Sequence, residues 1–280
     1  MDVGVTMFAT DRTMPVHELA VAAEERGFAS LYIPEHTHIP VSRQTPPATG
    51  DDDLDEGYRR TPDPLVALAA AAGLTSTIRL GTAVALPAEH DPIAWAKAVA
   101  TLDAVSGGRV TLGVGFGWNR EELSDHGVAF ADRWSVVRET MLLAQALWSE
   151  EVAAFGGHHV ALSPSWCWPK PIQQPRVRTL VGGGSGPRVL ASIAEWADGW
   201  IPFGGAGLRE ALPELRRVVA EAGRDPDRLH IVPMGVLPTP EKLDYYRTLG
   251  VTECVLRLPP AGRDEVLTAL DGYVHHVEAG

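Results

Sequence analysis

The 280-residue chain predicts a single α/β domain, a (β/α)8 or TIM barrel with insertions after strands 2 and 4. Three observations point there. The length allows about 35 residues for each of eight units, close to what a strand, a helix and their loops require. Hydrophobic residues make up 45% and charged residues 21%, the balance of a chain that buries a core. Strand-like and helix-like segments alternate from end to end without a shift in composition, so residues 1–280 read as one domain with a parallel sheet.

The elements follow in order. Residues 2–8 read as a strand, with Val3, Val5 and Met7 on one side and small residues on the other. Thr13-Met14-Pro15 opens a helix whose stripe includes Leu19, Ala20 and Ala23, and Gly27 ends it. A second strand follows at 28–33. From Glu35 to Asp63 the chain is irregular, with Pro40, Pro46, Pro47, Gly50, Asp51-Asp52-Asp53 and Gly57. A loop of this length in a compact domain is either a functional lid or a plain linker. Asp63-Pro64 starts an Ala/Leu-rich helix to Ser76, and 78–86 is the third strand. Asp91-Pro92 starts a helix ending near Gly107-Gly108, and 109–114 is the fourth strand. A helix at 131–148 and a hairpin-like stretch around Gly156-Gly157 precede strands at 178–181, 199–203, 229–235 and 252–258. Helices at 186–197, 207–222, 240–249 and 263–277 fill the gaps.

Charge and cysteine usage exclude several classes. With 36 acidic against 24 basic residues the net charge is -12, so the surface repels phosphate backbones and anionic lipid, and neither a nucleic-acid nor a membrane partner is expected. Apolar stretches such as 64–74 are too short to span a bilayer, and the N-terminus lacks a basic region followed by an apolar one. The two cysteines, Cys167 and Cys254, form no C-x-x-C pair, so no disulfide framework or structural zinc is expected and a cytoplasmic location fits.

In a (β/α)8 barrel the chemistry sits where strands end. The second strand ends in Pro34-Glu35-His36-Thr37-His38. Alternate residues point the same way, so His36 and His38 resemble half of a metal site. The other strand ends, Leu180-Val181-Gly182, Pro202-Phe203 and Arg257-Leu258, bring no further ligand. His230 stands at the start of its strand, on the wrong face of the barrel. No metal is therefore expected, and His38 reads as a surface residue. Glu35 and His36 suit an acid/base or hydrogen-bonding role, since imidazole titrates near neutrality. His158-His159 and His275-His276 read as exposed polar positions.

Small residues fill the third strand, Leu80-Gly81-Thr82-Ala83-Val84-Ala85, and serve either to pack a barrel layer or to admit a flat ring. Gly113-Val114-Gly115-Phe116-Gly117-Trp118-Asn119 lacks the G-x-G-x-x-G spacing and the later acidic strand end of a dinucleotide fingerprint. It remains a glycine-rich turn that lets a cofactor approach the main chain. Gly182-Gly183-Gly184-Ser185-Gly186-Pro187 precedes a helix. Its bare amides, the helix N-terminus and the Ser185 hydroxyl together suit a phosphate. No G-x-x-x-x-G-K-[ST] follows, so it is not a nucleoside-triphosphatase loop.

The segments Ser30-Leu31-Tyr32-Ile33-Pro34-Glu35-His36, Asp63 to Ala69, Ile78 to Thr82, Gly113 to Asn119, Gly182 to Ser185 and Ala197-Asp198-Gly199-Trp200 resemble the luciferase-like monooxygenase superfamily. Within it the chain is most similar to the actinobacterial F420-dependent oxidoreductases. The resemblance implies a barrel that holds the deazaflavin F420, or alternatively FMN, across the strand ends. The cofactor-binding positions it implies are Thr82, Ala83, Val84, Gly115, Gly117, Trp118, Asn119, Gly182, Gly183, Gly184 and Ser185. A cis peptide between Ala83 and Val84 belongs to the same pattern. Glu35 and His36 match the acidic residue and histidine that contact ring and substrate, which implies His36 as acid/base partner in a hydride transfer. The sugar-phosphate dehydrogenases of this group have a glutamate where this chain has Trp118, so that substrate is not implied. The resemblance further implies a small-molecule substrate and a homodimer, and for the FMN alternative a separate reductase supplying reduced cofactor. An anionic F420 tail on an acidic protein needs a local basic cluster, for which Arg12, Arg43 and Lys170 are the candidates.

Overall fold

In the computed structural model, which describes residues 1–46, 53–205 and 207–278, helices pack around one curled parallel sheet. β1 (Asp2–Thr6), β2 (Ser30–Ile33), β3 (Arg79–Thr82) and β4 (Val110–Val114) lie side by side in chain order. β5 (Ala153–Gly156) and β6 (Ala161–Ser165) leave the sheet as an antiparallel hairpin. β7 (Arg178–Gly182), β8 (Gly199–Ile201) and β9 (His230–Ile231) then continue beyond β4. On the other side β11 (Glu253–Arg257) pairs with β1, and β10 (Met234–Val236) pairs with β11. β9 and β10 are two parts of one run, 230–236; the first pairs with β8 and the second with β11.

The helices α1 (Val16–Glu25), α2 (Pro64–Ala72), α3 (Pro92–Ser106), α4 (Arg120–Asp125), α5 (Arg133–Ser149), α6 (Pro187–Trp196), α7 (Leu208–Glu221), α8 (Pro240–Thr248) and α9 (Arg263–Glu278) connect the strands. Their starts follow from local chemistry. α2, α3, α6 and α8 begin on proline, whose missing N–H has no partner to lose there, and Asp63, Asp91 and Thr239 accept from the amides of Val66, Ala94 and Lys242. α3 ends on Gly107 at φ 70°, a left-handed conformation that glycine adopts without cost.

Two apolar layers result. Leu19, Leu68, Val99, Leu143, Ile193 and Leu215 seat the helices on the outside of the sheet, and Tyr32, Leu180, Ile201, Val232, Met234 and Val255 fill its inside. Below the inner layer is a polar plug. Arg79 bridges Asp2 at 2.8 Å and Glu253 at 3.0 Å, and Ser30 donates to Glu253. Burial, with the negative charge of Glu253, raises the Tyr32 phenol well above its ordinary value, so it stays neutral and able to donate. The plug leaves no room on β1: a Cβ on Gly4 would lie 2.0 Å from the Ser30 oxygen.

His276, expected at the surface, is buried, 7% exposed, and three element boundaries need correction. The third strand, expected to run 78–86, stops pairing at Thr82; the Ala83–Val84 peptide is cis, only the isolated bridge Ala85 to Val114 follows, and Pro87–Glu89 is a 3-10 turn. The strand expected at 229–235 is interrupted at Val232-Pro233, because Pro233 has no amide to give the ladder. The helix expected to reach Ser76 ends at Ala72. Of the 37–63 loop, residues 47–52 lie outside the described residues; the remainder includes a 3-10 turn, Glu56–Arg60. No helix among the described residues is long and apolar enough to cross a membrane.

Candidate active site

The buried strand β2 delivers Glu35 and His36 to the C-terminal rim, and consecutive residues leave a strand in opposite directions. Glu35 is 4% exposed. Its carboxylate accepts from the Leu86 amide at 2.6 Å and meets His90 Nε2 at 2.8 Å. It thereby braces the turn that follows β3. Burial works against charge on His90, but the hydrogen bond and charge of Glu35 outweigh it, and the imidazole is held above its ordinary value.

His36 turns instead to Glu122 in the first turn of α4. Nδ1 lies 2.9 Å from Oε2 and 3.2 Å from Oε1. A carboxylate only accepts, so Nδ1 carries the hydrogen and the opposite ring nitrogen is the one free for other chemistry. The Glu122 carboxylate, 1% exposed, also accepts from the Thr37 amide at 3.1 Å. Beside it stands Glu89, 3% exposed, whose Oε2 accepts from the Thr37 hydroxyl at 3.2 Å. Burial, then the charges of Glu122 and Glu35, push the Glu89 carboxyl up to about 9; it is therefore a neutral acid near pH 7. The Thr37 hydroxyl also meets His126 Nε2 at 2.8 Å and His38 Nδ1 at 3.0 Å, and His38 pairs with Asp125 at 3.0 Å. His38, expected at the surface, is partly exposed and is used to join the loop to α4.

Aromatic rings line this corner. The His36 ring is 5.1 Å from Tyr58 and 5.7 Å from Trp118, and Tyr58 is 4.8 Å from Phe8. Tyr58 comes from the late part of the 37–63 loop. The early part is tied to α4, where the Glu121 carboxylate accepts from the Gln44 amide and the Thr45 hydroxyl. Both described ends of the loop are thus docked on the site.

The cradle beyond β3 and β4 is built on size. The Thr82 hydroxyl donates to the Gly113 carbonyl at 2.8 Å. A Cβ on Gly115 or on Gly182 would each sit 2.4 Å from a methyl of Val84, so both glycines are required by the Val84 side chain wedged between them. This gives those two positions a packing reason independent of any cofactor. Gly117 has φ 73°, the left-handed turn that swings the chain into α4. Asn119 is 1% exposed, and neither polar atom of its side chain has a partner among the described residues. Gly184 and Ser185 are exposed at the start of α6, and nothing lies within 4 Å of a Cβ built on Gly184. The Trp200 indole donates to the Gly183 carbonyl at 2.9 Å and fixes the root of that loop.

Of the three basic residues expected beside this cradle, one reaches it and two are engaged elsewhere. Arg12 pairs with Glu56, and Lys170 donates to the carbonyls of Leu147 and Glu150. Arg43 lies 6.0 Å from the Trp118 ring, on the His36 side. Arg120, Arg133 and Arg188 gather at the other side instead. Arg120 and Arg133 stack on Phe130 at 4.2 and 3.6 Å, and Arg188 lies 5.8 Å from the Trp134 ring. Trp134 in turn stacks on Phe116, within the glycine-rich turn, at 3.7 Å. Burial, then the charges of Arg188 and Arg120, depress the Arg133 guanidinium, so the three cations stand close enough to act on one another. No three His, Cys, Asp or Glu side chains among the described residues converge to hold a metal ion.

Phe8, Tyr58, Glu89, Glu122 and the three arginines escaped the sequence reading. Glu122 had a signal, an acidic residue in the first turn after an Asn, but such a residue also simply favours the helix dipole. The others reach the site only through tertiary packing.

The profile of the luciferase-like monooxygenase family matches residues 6–241. An uncharacterised protein of Mycobacterium tuberculosis is 47% identical over 95% of this chain and 94% of its own length. An F420-dependent glucose-6-phosphate dehydrogenase of Kineococcus radiotolerans is 32% identical over 74% of this chain and 58% of its own. The solved structure of an F420-dependent secondary alcohol dehydrogenase with an F420-acetone adduct superimposes with a TM-score of 0.80 at 16% identity, covering 99% of this chain and 98% of that one.

Proposed function

As the chain belongs to the luciferase-like monooxygenase family and is an oxidoreductase of that class, we propose that it is F420-dependent and moves a hydride between the deazaflavin and a small organic substrate. The reading takes residues 1–280 as one (β/α)8 barrel, with 230–236 as its interrupted eighth stave, acting as a homodimer in the cytoplasm.

The observation that carries it is the group of three guanidiniums beside the open Gly184-Ser185 loop. One phosphate is served by bare amides and a helix N-terminus. Three further cations suit a cofactor with a longer anionic tail, which favours F420 over FMN. The unpartnered amide of Asn119 and the open space over Gly184 fit a ring with polar edges and a phosphate. Thr82, Ala83, Val84, Gly115, Gly117 and Trp118 would line the ring, and Gly182, Gly183, Gly184 and Ser185 would hold the phosphate.

When bound, F420 supplies hydride transfer at C5 of its ring, chemistry that no side chain here offers. The chain's own part is orientation and proton handling. Glu122 fixes the His36 tautomer, so Nε2 faces the substrate atom that gains or loses a proton. Glu35 acts through position, holding the turn after β3 by the Leu86 amide and His90. Tyr58, Phe8 and Trp118 keep water from the imidazole.

Side-by-side titration of the purified protein with F420 and FMN at one salt concentration tests the reading. F420 is expected to bind at micromolar or lower concentration and more tightly than FMN; micromolar FMN with no F420 binding would overturn it. Gly184→Asp is expected to weaken F420 by at least about 1–3 kcal/mol, through repulsion and lost donors.

A further inference from the structure

The opposite end of the sheet holds a second cation cluster that the proposed reaction does not use. The segments that enter β7, β8 and β9 enclose a cavity of about 570 Å³. Four guanidiniums line it: Arg176 and Arg178 at the entry of β7, and Arg224 and Arg228 ahead of β9. Among the described residues two carboxylates line it with them, Asp198 and Asp225.

Both carboxylates are engaged. Asp198 accepts from Arg176 at 2.6 Å and from the Thr179 amide at 2.9 Å, with Arg224 at 4.0 Å. Asp225 caps a 3-10 turn by accepting from the Asp227 amide at 3.0 Å. Arg178 and Arg228 make no ion pair among the described residues. Arg176 adds a buried Nε with no hydrogen-bond partner. Burial, and then the charge of Arg178, lower the nearby His230 imidazole, which favours its neutral form, so it adds no further positive charge. The cavity thus carries an excess of two positive charges in a protein whose net charge is -12.

The geometry points to a binding site for a phosphorylated small molecule in this cavity, separate from the cofactor cradle. A phosphate monoester carries close to two negative charges near pH 7, which matches the excess. Guanidinium forks suit phosphate oxygens in a bidentate manner. The volume lies within the roughly 300–1,000 Å³ of small-molecule sites and exceeds the needs of a bare phosphate. Gln174 and Leu229 also line the cavity and would contact an uncharged body.

The two ends are separable by experiment. Glycerol phosphate, with glycerol and sodium chloride at matched ionic strength as controls, is titrated calorimetrically into the whole chain. Saturable heat with glycerol phosphate alone is expected. Arg228→Gln, an exposed position, and Arg178→Gln are each expected to weaken it at least about tenfold, the loss of a charge-assisted hydrogen bond, without changing F420 or FMN affinity. Gly184→Asp is expected to leave it intact. Equal responses to chloride and glycerol phosphate, no change on Arg228→Gln, or loss on Gly184→Asp instead would overturn the assignment. These outcomes do not depend on which cofactor the other end takes.

Discussion

Glu89 shows how one side chain is set by its neighbours. Three buried carboxyls, Glu35, Glu89 and Glu122, stand close enough to repel, and two have cationic or amide partners. Glu35 has His90 and the Leu86 amide, and Glu122 has His36 and the Thr37 amide. Glu89 has the Thr37 hydroxyl and a hydrogen bond shared with Glu122, and two carboxyls can share one only if a proton stays between them; burial and both neighbouring charges raise the Glu89 carboxyl from 4.5 to about 9, so it keeps that proton. A raised native value means that the native state binds a proton the unfolded chain has released. Its contribution is whole below about 4.5 and is lost as pH rises towards about 9. Glu89→Gln keeps the shape without the titration. The variant is expected to match the parent below pH 4.5 and to melt higher at pH 8, by about 2–4 °C for each 1 kcal/mol relieved in a chain of this size. Melting curves across pH 4–9 check it. A lower Tm at pH 8 would mean that Glu89 is ionised and needed as an acceptor.

At the scale of elements, Glu24 near the end of α1 ties the turn before β3 to the first helix. Its carboxylate accepts from the amides of Ser76, Thr77 and Ile78 and from the Thr77 hydroxyl. Burial opposes the charge, but these bonds win and lower the carboxyl from 4.5 to about 2. A lowered native value gives stability that is whole above 4.5 and is lost as pH falls towards about 2. Discounted for its solvent exposure, Glu24→Gln is expected to cost about 1 kcal/mol at pH 7. Urea unfolding should show that gap closing below pH 4. Little of this was legible in the sequence, since Glu24 reads as a polar helix position. The alternation of elements was legible because it rests on local periodicity, caps and glycines. So were His36, the glycine-rich turns and the loop before α6, which the chain order places at strand ends. Where tertiary packing decides, the sequence carries no local signal: β3 ends at Thr82, and Gly115 and Gly182 answer to Val84. Glu122 and Glu89 gain meaning only when α4 and the turn after β3 are folded onto Thr37.

The whole molecule sets acidic surface against basic ends. Its net charge is -12, yet Arg120, Arg133 and Arg188 gather at one rim and four arginines line the cavity at the other. The remaining surface is therefore more negative than the net value conveys. An anionic cofactor approaching from solution meets repulsion from the whole and attraction from the rim. Salt screens the two over the same length, about 8 Å at physiological ionic strength, so the sign of the salt effect on association reports which dominates at the entrance. Clefts with one sign of charge focus the field and set the on-rate even on a protein of opposite net charge. Stopped-flow association of F420 is expected to slow as salt rises in the parent. In a variant with Arg120, Arg133 and Arg188 all changed to Gln, only the net repulsion remains, and association should instead quicken with salt. If both proteins quickened with salt alike, the three arginines would lie off the path of entry, and the anionic tail would have to be held elsewhere on the rim.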